Sequence, residues 1–242
     1  MRNWLITTRP KQLEYYKGML IHADTGMHDQ AIALFRAYVP IGSSVIDIGA
    51  GAGAFSRRLA DSGYAVTALD MDIDEWTPRE IPFVMLNIES GMSSCLRATF
   101  DAACCLEVIE HVENPWNVLR EIHSMLKPGG RLILSTPNIT SFLSRLTFLR
   151  TGQFHQFSDA DLAYGHISPI TAFELSTIAR RVGWKILEVR PGGYLPIFDF
   201  SSFSARSLAL NALRGLIYLV ARGQKRGWCL FFVMEKSRLG GV

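Results

Sequence analysis

Three glycines and two acids in this chain have the spacing of a ligand-binding turn. Gly49, Gly51 and Gly53 separate an apolar segment that predicts a buried strand from a segment that predicts a helix. A glycine-rich turn between a strand and a helix brings backbone close to a ligand and points free amides at its negative part. Asp70 ends the next apolar segment, about 20 residues further on, where a carboxylate suits two hydrogen bonds to ribose hydroxyls. The pattern predicts a site for a cofactor that contains adenosine.

The glycine spacing alone leaves two cofactors open. Gly49-x-Gly51-x-x-Ala54 meets the loose dinucleotide fingerprint, in which alanine may replace the last glycine. Asp47, two residues before the first glycine, favours S-adenosylmethionine, because a carboxylate suits an amino group and a sulfonium better than it suits a pyrophosphate. Gly53 also gives the spacing Gly-x-Gly-x-Gly. A turn that only packs a helix against a sheet is the remaining alternative.

Length and composition limit the class of protein. The chain has 242 residues, of which 48% are hydrophobic, enough for one α/β domain with a continuous core. Its net charge of +3 is too small to indicate a nucleic-acid partner. Cys104 and Cys105 are neighbours in an apolar segment, which disfavours disulfides and favours a cytoplasmic location. The N-terminal residues lack the apolar core of a signal peptide, and no apolar run reaches the ~20 residues of a membrane span.

The elements that must position the site alternate along the chain. Apolar runs predict strands at 45–48, 64–69, 83–86, 100–106, 131–135, 184–189 and 228–234, with helices at 26–38, 56–62, 115–126, 171–182 and 206–222. Lys127-Pro-Gly-Gly130 predicts a turn, and residues 1–26 are expected to be irregular. This alternation is typical of a doubly wound, mainly parallel sheet with right-handed crossovers.

We expect one domain over residues 1–242. It would comprise an N-terminal helical cap at 1–43, a cofactor-binding half at 44–136, a substrate cover at 137–170 and an insertion at 191–227. The cover follows the carboxyl end of the fifth strand, and ligands of open α/β sheets lie at that edge. The alternative is a surface loop without function.

The longest recognisable pattern lies in the middle of the chain. Glu107-Val-Ile-Glu110-His111-Val-Glu-Asn-Pro115, followed by Leu126-Lys-Pro-Gly-Gly-Arg-Leu-Ile-Leu-Ser-Thr-Pro-Asn138, closely resembles the class I S-adenosylmethionine-dependent methyltransferases. The resemblance covers roughly residues 26–190 and is greatest to the branch with ubiquinone-biosynthesis O-methyltransferases and related small-molecule, sugar and lipid enzymes. It implies a Rossmann-like α/β/α fold with seven strands, the last of them antiparallel and next to the sixth. It also implies S-adenosyl-L-methionine as the cofactor.

The resemblance implies a cofactor site position by position. The residues are Asp47, Gly49, Ala50, Gly51, Gly53, Asp70, Met71, Asn87, Ile88, Leu106 and Glu107. Asp47 and the glycines would surround the methionine part of the cofactor. Asp70 would bind both ribose hydroxyls, and Met71 would pack on the adenine. Asn87 stands where the family often has Asp beside the adenine amino group, and its amide oxygen can still accept that bond.

Methyl transfer to a hydroxyl calls for a general base, and two histidines are the candidates. His111 follows the fourth strand at the ligand edge, and His166 lies in the cover. The alternatives are that His111 orients the adjacent helix start and that His166 is an ordinary loop residue. Glu107, Glu110, His111 and His166 could instead hold a divalent metal, as in the similar Glu-x-x-Glu-His pattern of small-RNA 2′-O-methyltransferases. We do not favour a metal.

These observations predict O-methylation of a small-molecule, sugar or lipid-precursor hydroxyl. The alternatives are a catalytically silent cofactor-binding or scaffold protein, a metal-assisted methyltransferase of RNA ends, and a dinucleotide oxidoreductase. The predicted helix at 206–222 has a wide apolar face, and Arg222, Lys225 and Arg226 are at its end or just beyond. Residues 206–226 could make a peripheral contact with the inner face of a membrane. The alternative, a helix that packs on the domain or on a second copy, is the one we favour from the sequence.

Overall fold

The computed structural model describes residues 14–91, 96–97, 99–193, 204–220, 223 and 226–237. Its strands are β1 Tyr15–Tyr16, β2 Met19–Leu20, β3 Ser44–Ile48, β4 Ala65–Asp70, β5 Phe83–Met85, β6 Phe100–Leu106, β7 Leu126–Pro137, β8 Trp184–Gly192 and β9 Cys229–Lys236. Its helices are α1 Met27–Tyr38, α2 Ala54–Asp61, α3 Pro115–Met125, α4 Phe142–Thr151, α5 Asp159–Leu162, α6 Ala172–Val182 and α7 Ala205–Val220. Short 3₁₀ turns follow β5 and β6 at Ile88–Ser90 and Ile109–His111.

Seven strands form one sheet in the order β5-β4-β3-β6-β7-β9-β8. The first five of these pair in parallel, whereas β9 lies antiparallel between β7 and β8. The predicted seven-stranded sheet, with its last strand antiparallel beside the sixth, is confirmed. Because β3 is central, the turn after it opens at the carboxyl edge, where the strand order reverses.

Helices cover both faces of the sheet and divide the core in two. Ile46 and Ile48 pack toward α3 and α6, whereas Val45 packs toward α1 and α2. Alternate residues of β3 thus enter opposite cores, as the period of a strand requires. The predicted three-layer α/β/α architecture is confirmed.

Two helix starts follow from their first residues. The Asn114 side chain accepts a hydrogen bond from the Asn117 amide, and Pro115 occupies the first turn of α3. Thr171 accepts in the same way from the Glu174 amide and begins α6. Both helices begin within one residue of the prediction, because a local capping side chain determines the start.

The predicted turn at 127–130 is part of β7 rather than a separate connection. Phe100 pairs with Leu126 and Ala102 pairs with Arg131, so four residues of β7 bulge opposite the single residue Asp101. Pairing thus begins before the glycines and resumes after them.

The N-terminal segment differs from the expected irregular chain, because β1 and β2 form a small antiparallel hairpin. Residues 1–13 of the predicted cap, residues 194–203 of the predicted insertion, and Arg222 and Lys225 lie outside the described residues. Among the residues that are described, no helix has both the length and the apolar character needed to cross a membrane.

Candidate active site

The glycine turn connects β3 to α2 as predicted, with three left-handed residues. Gly49, Gly51 and Gly53 have φ of 72°, 49° and 90°. The Gly49 amide donates to the Leu69 carbonyl of β4 at 2.9 Å. A Cβ at Gly49 would collide with the Val108 side chain, so glycine is needed for both its dihedral and its contact.

Asp70, at the end of β4, lies beside the turn. Its Oδ2 accepts from the Gly51 amide at 2.8 Å and its Oδ1 accepts from the Asp72 amide at 3.1 Å. Each carboxylate oxygen can accept a second hydrogen bond. A cavity of about 220 Å³ opens here, lined by His22, Gly51, Asp70, Asp72 and Glu75. The carboxylate is thus held by backbone amides at the wall of a cavity.

Asp47 is buried beneath the turn and is not among the residues that line this cavity. Its Oδ2 accepts from the Ser56 hydroxyl at 2.6 Å, which ties β3 to α2. Burial raises the pKa of Asp47 to about 6, against hydrogen bonds from Ser56 and Cys104 that lower it. The carboxyl group can therefore change protonation state close to neutral pH.

The residues expected around adenine lie at the ends of β4 and β5. Met71 is 69% exposed and follows Asp70 directly. The Asn87 Oδ1 accepts from the Glu89 amide at 2.9 Å, which starts the short 3₁₀ turn, while Ile88 is buried. The amide oxygen of Asn87 has one acceptor position left for a ligand.

Glu107 follows β6 with the unusual φ of +52° for a residue other than glycine. Its Oε1 accepts from the Ser135 hydroxyl at 2.6 Å, and the same hydroxyl lies 3.1 Å from the Glu107 amide. Left-handed backbone in such residues costs of order 1 kcal/mol or more and is typical of functional turns. The side chain is held by β7 at the edge of the sheet where the glycine turn opens.

Glu110 is fully buried, although its side chain is acidic. Its Oε2 accepts from the Thr136 hydroxyl at 3.3 Å, and its Oε1 has no hydrogen-bond partner among the described residues. Burial, and then the Glu107 carboxylate, raise the pKa of Glu110 well above its usual range. Burial therefore favours the neutral form of the Glu110 carboxyl group.

His111 and His166 are 55 residues apart in the sequence, but the structure brings them together. Their ring centroids are 4.8 Å apart in an edge-to-face arrangement. Burial, and then the neighbouring His166, lower the pKa of His111, which keeps this imidazole neutral. Ligand atoms of Glu110, His111 and His166 all lie within 4.8 Å of one another. The fourth residue of the suggested metal set, Glu107, is bonded to Ser135 and is not in this group.

Backbone contacts fix the cover against the residues after β6. The amides of Ile167 and Ser168 both donate to the Glu110 carbonyl, at 3.0 and 2.9 Å. His166 Nδ1 lies 2.8 Å from the Gln156 carbonyl, which can only accept, so the neutral ring carries its proton on Nδ1. Its Nε2 is then the basic nitrogen.

Comparison with known proteins agrees with this geometry. A family model described as a methyltransferase domain matches residues 22–189 of the chain. The chain belongs to this methyltransferase family.

Two relatives and one solved structure show how far the similarity extends. Ubiquinone biosynthesis O-methyltransferase of Xanthomonas axonopodis pv. citri is 37% identical over 114 residues, which are 42% of this chain and 46% of that protein. The mitochondrial ubiquinone biosynthesis O-methyltransferase of Schizosaccharomyces pombe is 30% identical over 179 residues, 64% of this chain and 60% of that protein. The chain thus spans about half the length of these relatives. Burkholderia thailandensis 1,6-didemethyltoxoflavin-N1-methyltransferase, solved with S-adenosylhomocysteine, has the same fold, with a TM-score of 0.58 at 20% identity over 88% of this chain and 80% of that one.

S-Adenosylmethionine is the cofactor of this methyltransferase, which decides between the two cofactors left open by the glycine spacing. The residues of the turn fit it. Asp70 can accept from two ribose hydroxyls, and Gly51, which lines the cavity, lets backbone approach a ligand without a side chain between them. Roles for individual residues of the turn remain predictions.

Sequence reasoning did not predict two histidine contacts near this methyltransferase site. His22 lines the cavity and lies 2.8 Å from the Glu75 carboxylate. The ring of His155 lies 4.6 Å from that of Trp228 in a tilted arrangement, which ties the cover to the start of β9. No motif carries these contacts, because each joins segments that are far apart in sequence.

Proposed function

We propose that this methyltransferase transfers a methyl group to a hydroxyl of a small-molecule, sugar or lipid-precursor acceptor, with His111 or His166 as general base. The observation that carries the proposal is the pair of imidazoles 4.8 Å apart, where His166 of the cover meets His111 after β6. The two curated relatives, both named as ubiquinone biosynthesis O-methyltransferases, support oxygen as the accepting atom.

The chemistry divides between the cofactor and the chain. When bound, S-adenosylmethionine supplies a methyl group already activated on a sulfonium. The chain must align the hydroxyl, exclude water and remove its proton. His166 suits the last task because the Gln156 carbonyl holds the proton on Nδ1 and leaves Nε2 as acceptor. The lowered pKa of His111 keeps the second ring neutral, so that it can also accept a proton or relay one.

Single replacements of the two histidines test the base. His111→Gln and His166→Gln are assayed for release of S-adenosylhomocysteine with phenol, sugar and polyprenyl acceptors, and for cofactor affinity by calorimetry. Removal of the base lowers kcat by about 10²–10⁴ and leaves cofactor affinity unchanged. Near-normal turnover in both variants would contradict the proposal. Cofactor binding without turnover of any acceptor would favour a catalytically silent binding protein.

Chelation distinguishes a base from a metal site. Ligand atoms of Glu110, His111 and His166 are close enough to hold an ion, but an ion would need the Glu110 carboxylate, the form that burial disfavours. For a general base, turnover survives dialysis against EDTA. Turnover that is lost and then restored by Mg²⁺, Mn²⁺ or Zn²⁺ would assign the cluster to a metal and revive the RNA-end alternative.

The proposed location is the cytoplasm, with peripheral contact at the inner face of a membrane through 206–226. Cys104, Cys105 and Cys229 are unpaired and buried, which suits a reducing compartment. Cell fractionation with a tagged full chain tests the location.

A further inference from the structure

Among the α7 residues whose side chains the structure describes, leucines are exposed while polar and small residues are partly covered. Ser207, Asn211 and Gly215 recur every four residues and are partly covered. Leu208, Leu216 and Leu219 share a neighbouring face and are 55%, 59% and 67% exposed. Helices of globular proteins usually bury leucine and expose serine and asparagine. The described part of the chain leaves these three leucines available to an apolar surface.

The charge of the segment indicates what that surface is. Residues 200–234 contain Arg206, Arg214, Arg222, Lys225 and Arg226 but no Asp or Glu. A two-fold contact between copies through this segment would bring two such sets of cations together without an acid to offset them. Anionic lipid headgroups complement a cationic segment while their acyl chains accept leucine side chains.

Building on the proposed membrane location, we propose that α7 lies in the headgroup region of an anionic membrane, with Leu208, Leu216 and Leu219 inserted toward the acyl chains. Helix α7 follows β8 in the chain, whereas the glycine turn follows β3, His111 follows β6 and His166 follows α5. Membrane contact and methyl transfer therefore use different residues and can be measured separately.

Vesicle flotation with the full chain tests this proposal. Wild-type protein is expected to float with vesicles of phosphatidylcholine and phosphatidylglycerol, less with phosphatidylcholine alone, and less as salt concentration rises. The triple variant Leu208→Ser, Leu216→Ser, Leu219→Ser is expected to bind the anionic vesicles at least about tenfold more weakly. Leu149→Ser, at an α4 leucine that is 83% exposed, is the matched control and is expected to bind as wild type does.

Two further readouts keep the outcomes distinct. The triple variant should retain wild-type affinity for S-adenosylhomocysteine and wild-type turnover of a water-soluble acceptor, which shows that it is folded. Equal flotation of the wild-type and triple-variant proteins would overturn the proposal. The proposal would also be overturned if light scattering showed a wild-type dimer that the triple variant does not form, and neither protein bound vesicles. Loss of turnover in the histidine variants would leave the vesicle result unaffected.

Discussion

The two sides of the active site are built in different ways. On the cofactor side, Asp70 is held by the Gly51 amide only 19 residues away in the sequence. On the acceptor side, His111 meets His166 across 55 residues, and His155 meets Trp228 across 73. The first depends on backbone conformation within one strand-turn-helix unit, whereas the second depends on how a long segment docks on the sheet. The comparison indicates that the glycine turn with Asp70 is a local structure of the chain, whereas the proposed acceptor side joins distant segments.

The largest effect is expected from Gly49→Ala on the cofactor side. The change forces a left-handed alanine and a collision with Val108, so the free energy of unfolding should fall by about 2–5 kcal/mol. Gly152→Ala is the control, because Gly152 has φ of 75° but nothing within 4 Å of the added Cβ. Urea unfolding should show a loss of about 1–2 kcal/mol there. Equal losses in the two variants would show that Val108 does not restrict the turn.

On the acceptor side, His155 should make the folded protein less stable at acid pH. Burial lowers the pKa of His155 from 6.5 to about 4. The folded state therefore resists protonation, and stability that is full above pH 6.5 is lost as the pH falls toward 4, by about 3 kcal/mol. His155→Gln should reduce the pH dependence of urea unfolding by this amount, while His28 and His111, whose pKa values burial also lowers, keep their own contributions. The same slope in the variant and the wild-type protein would mean that His155 protonates normally.

On the cofactor side, Asp47 should give the stability the opposite dependence on pH. Burial raises its pKa from 3.8 to about 6, so the folded state favours the neutral acid. The contribution of Asp47 to the free energy of unfolding is greatest below pH 3.8. It is lost as the pH rises to 6, by up to about 3 kcal/mol. Asp47→Asn should gain stability relative to wild type over that interval. A constant difference between the two proteins would contradict the raised pKa.

The same contrast explains what the sequence could predict. The seven-stranded sheet with its last strand antiparallel beside the sixth follows from apolar periodicity and the family resemblance, and it is confirmed. The role of Asp70 at the glycine turn follows from residue spacing and stays a prediction. The extra residues of β7 are absent from the prediction because Lys127-Pro-Gly-Gly130 has the composition of a turn, and only pairing with β6 shows that it is a bulge. Gln156 has a φ of 70° and contacts His166 within the cover, but no sequence motif marks either feature.

The central claim is that the Asp70 carboxylate and the glycine turn together hold the cofactor. Calorimetric titration with S-adenosylhomocysteine tests it most directly, with Asp70→Ala compared against the exposed nearby acid Asp74→Ala. We expect wild type and Asp74→Ala to bind alike and Asp70→Ala to bind at least about tenfold more weakly, since a hydrogen bond to a charged group contributes ~1.5–3 kcal/mol. Failure of the folded wild-type protein to bind, or unchanged affinity in Asp70→Ala, would contradict the account.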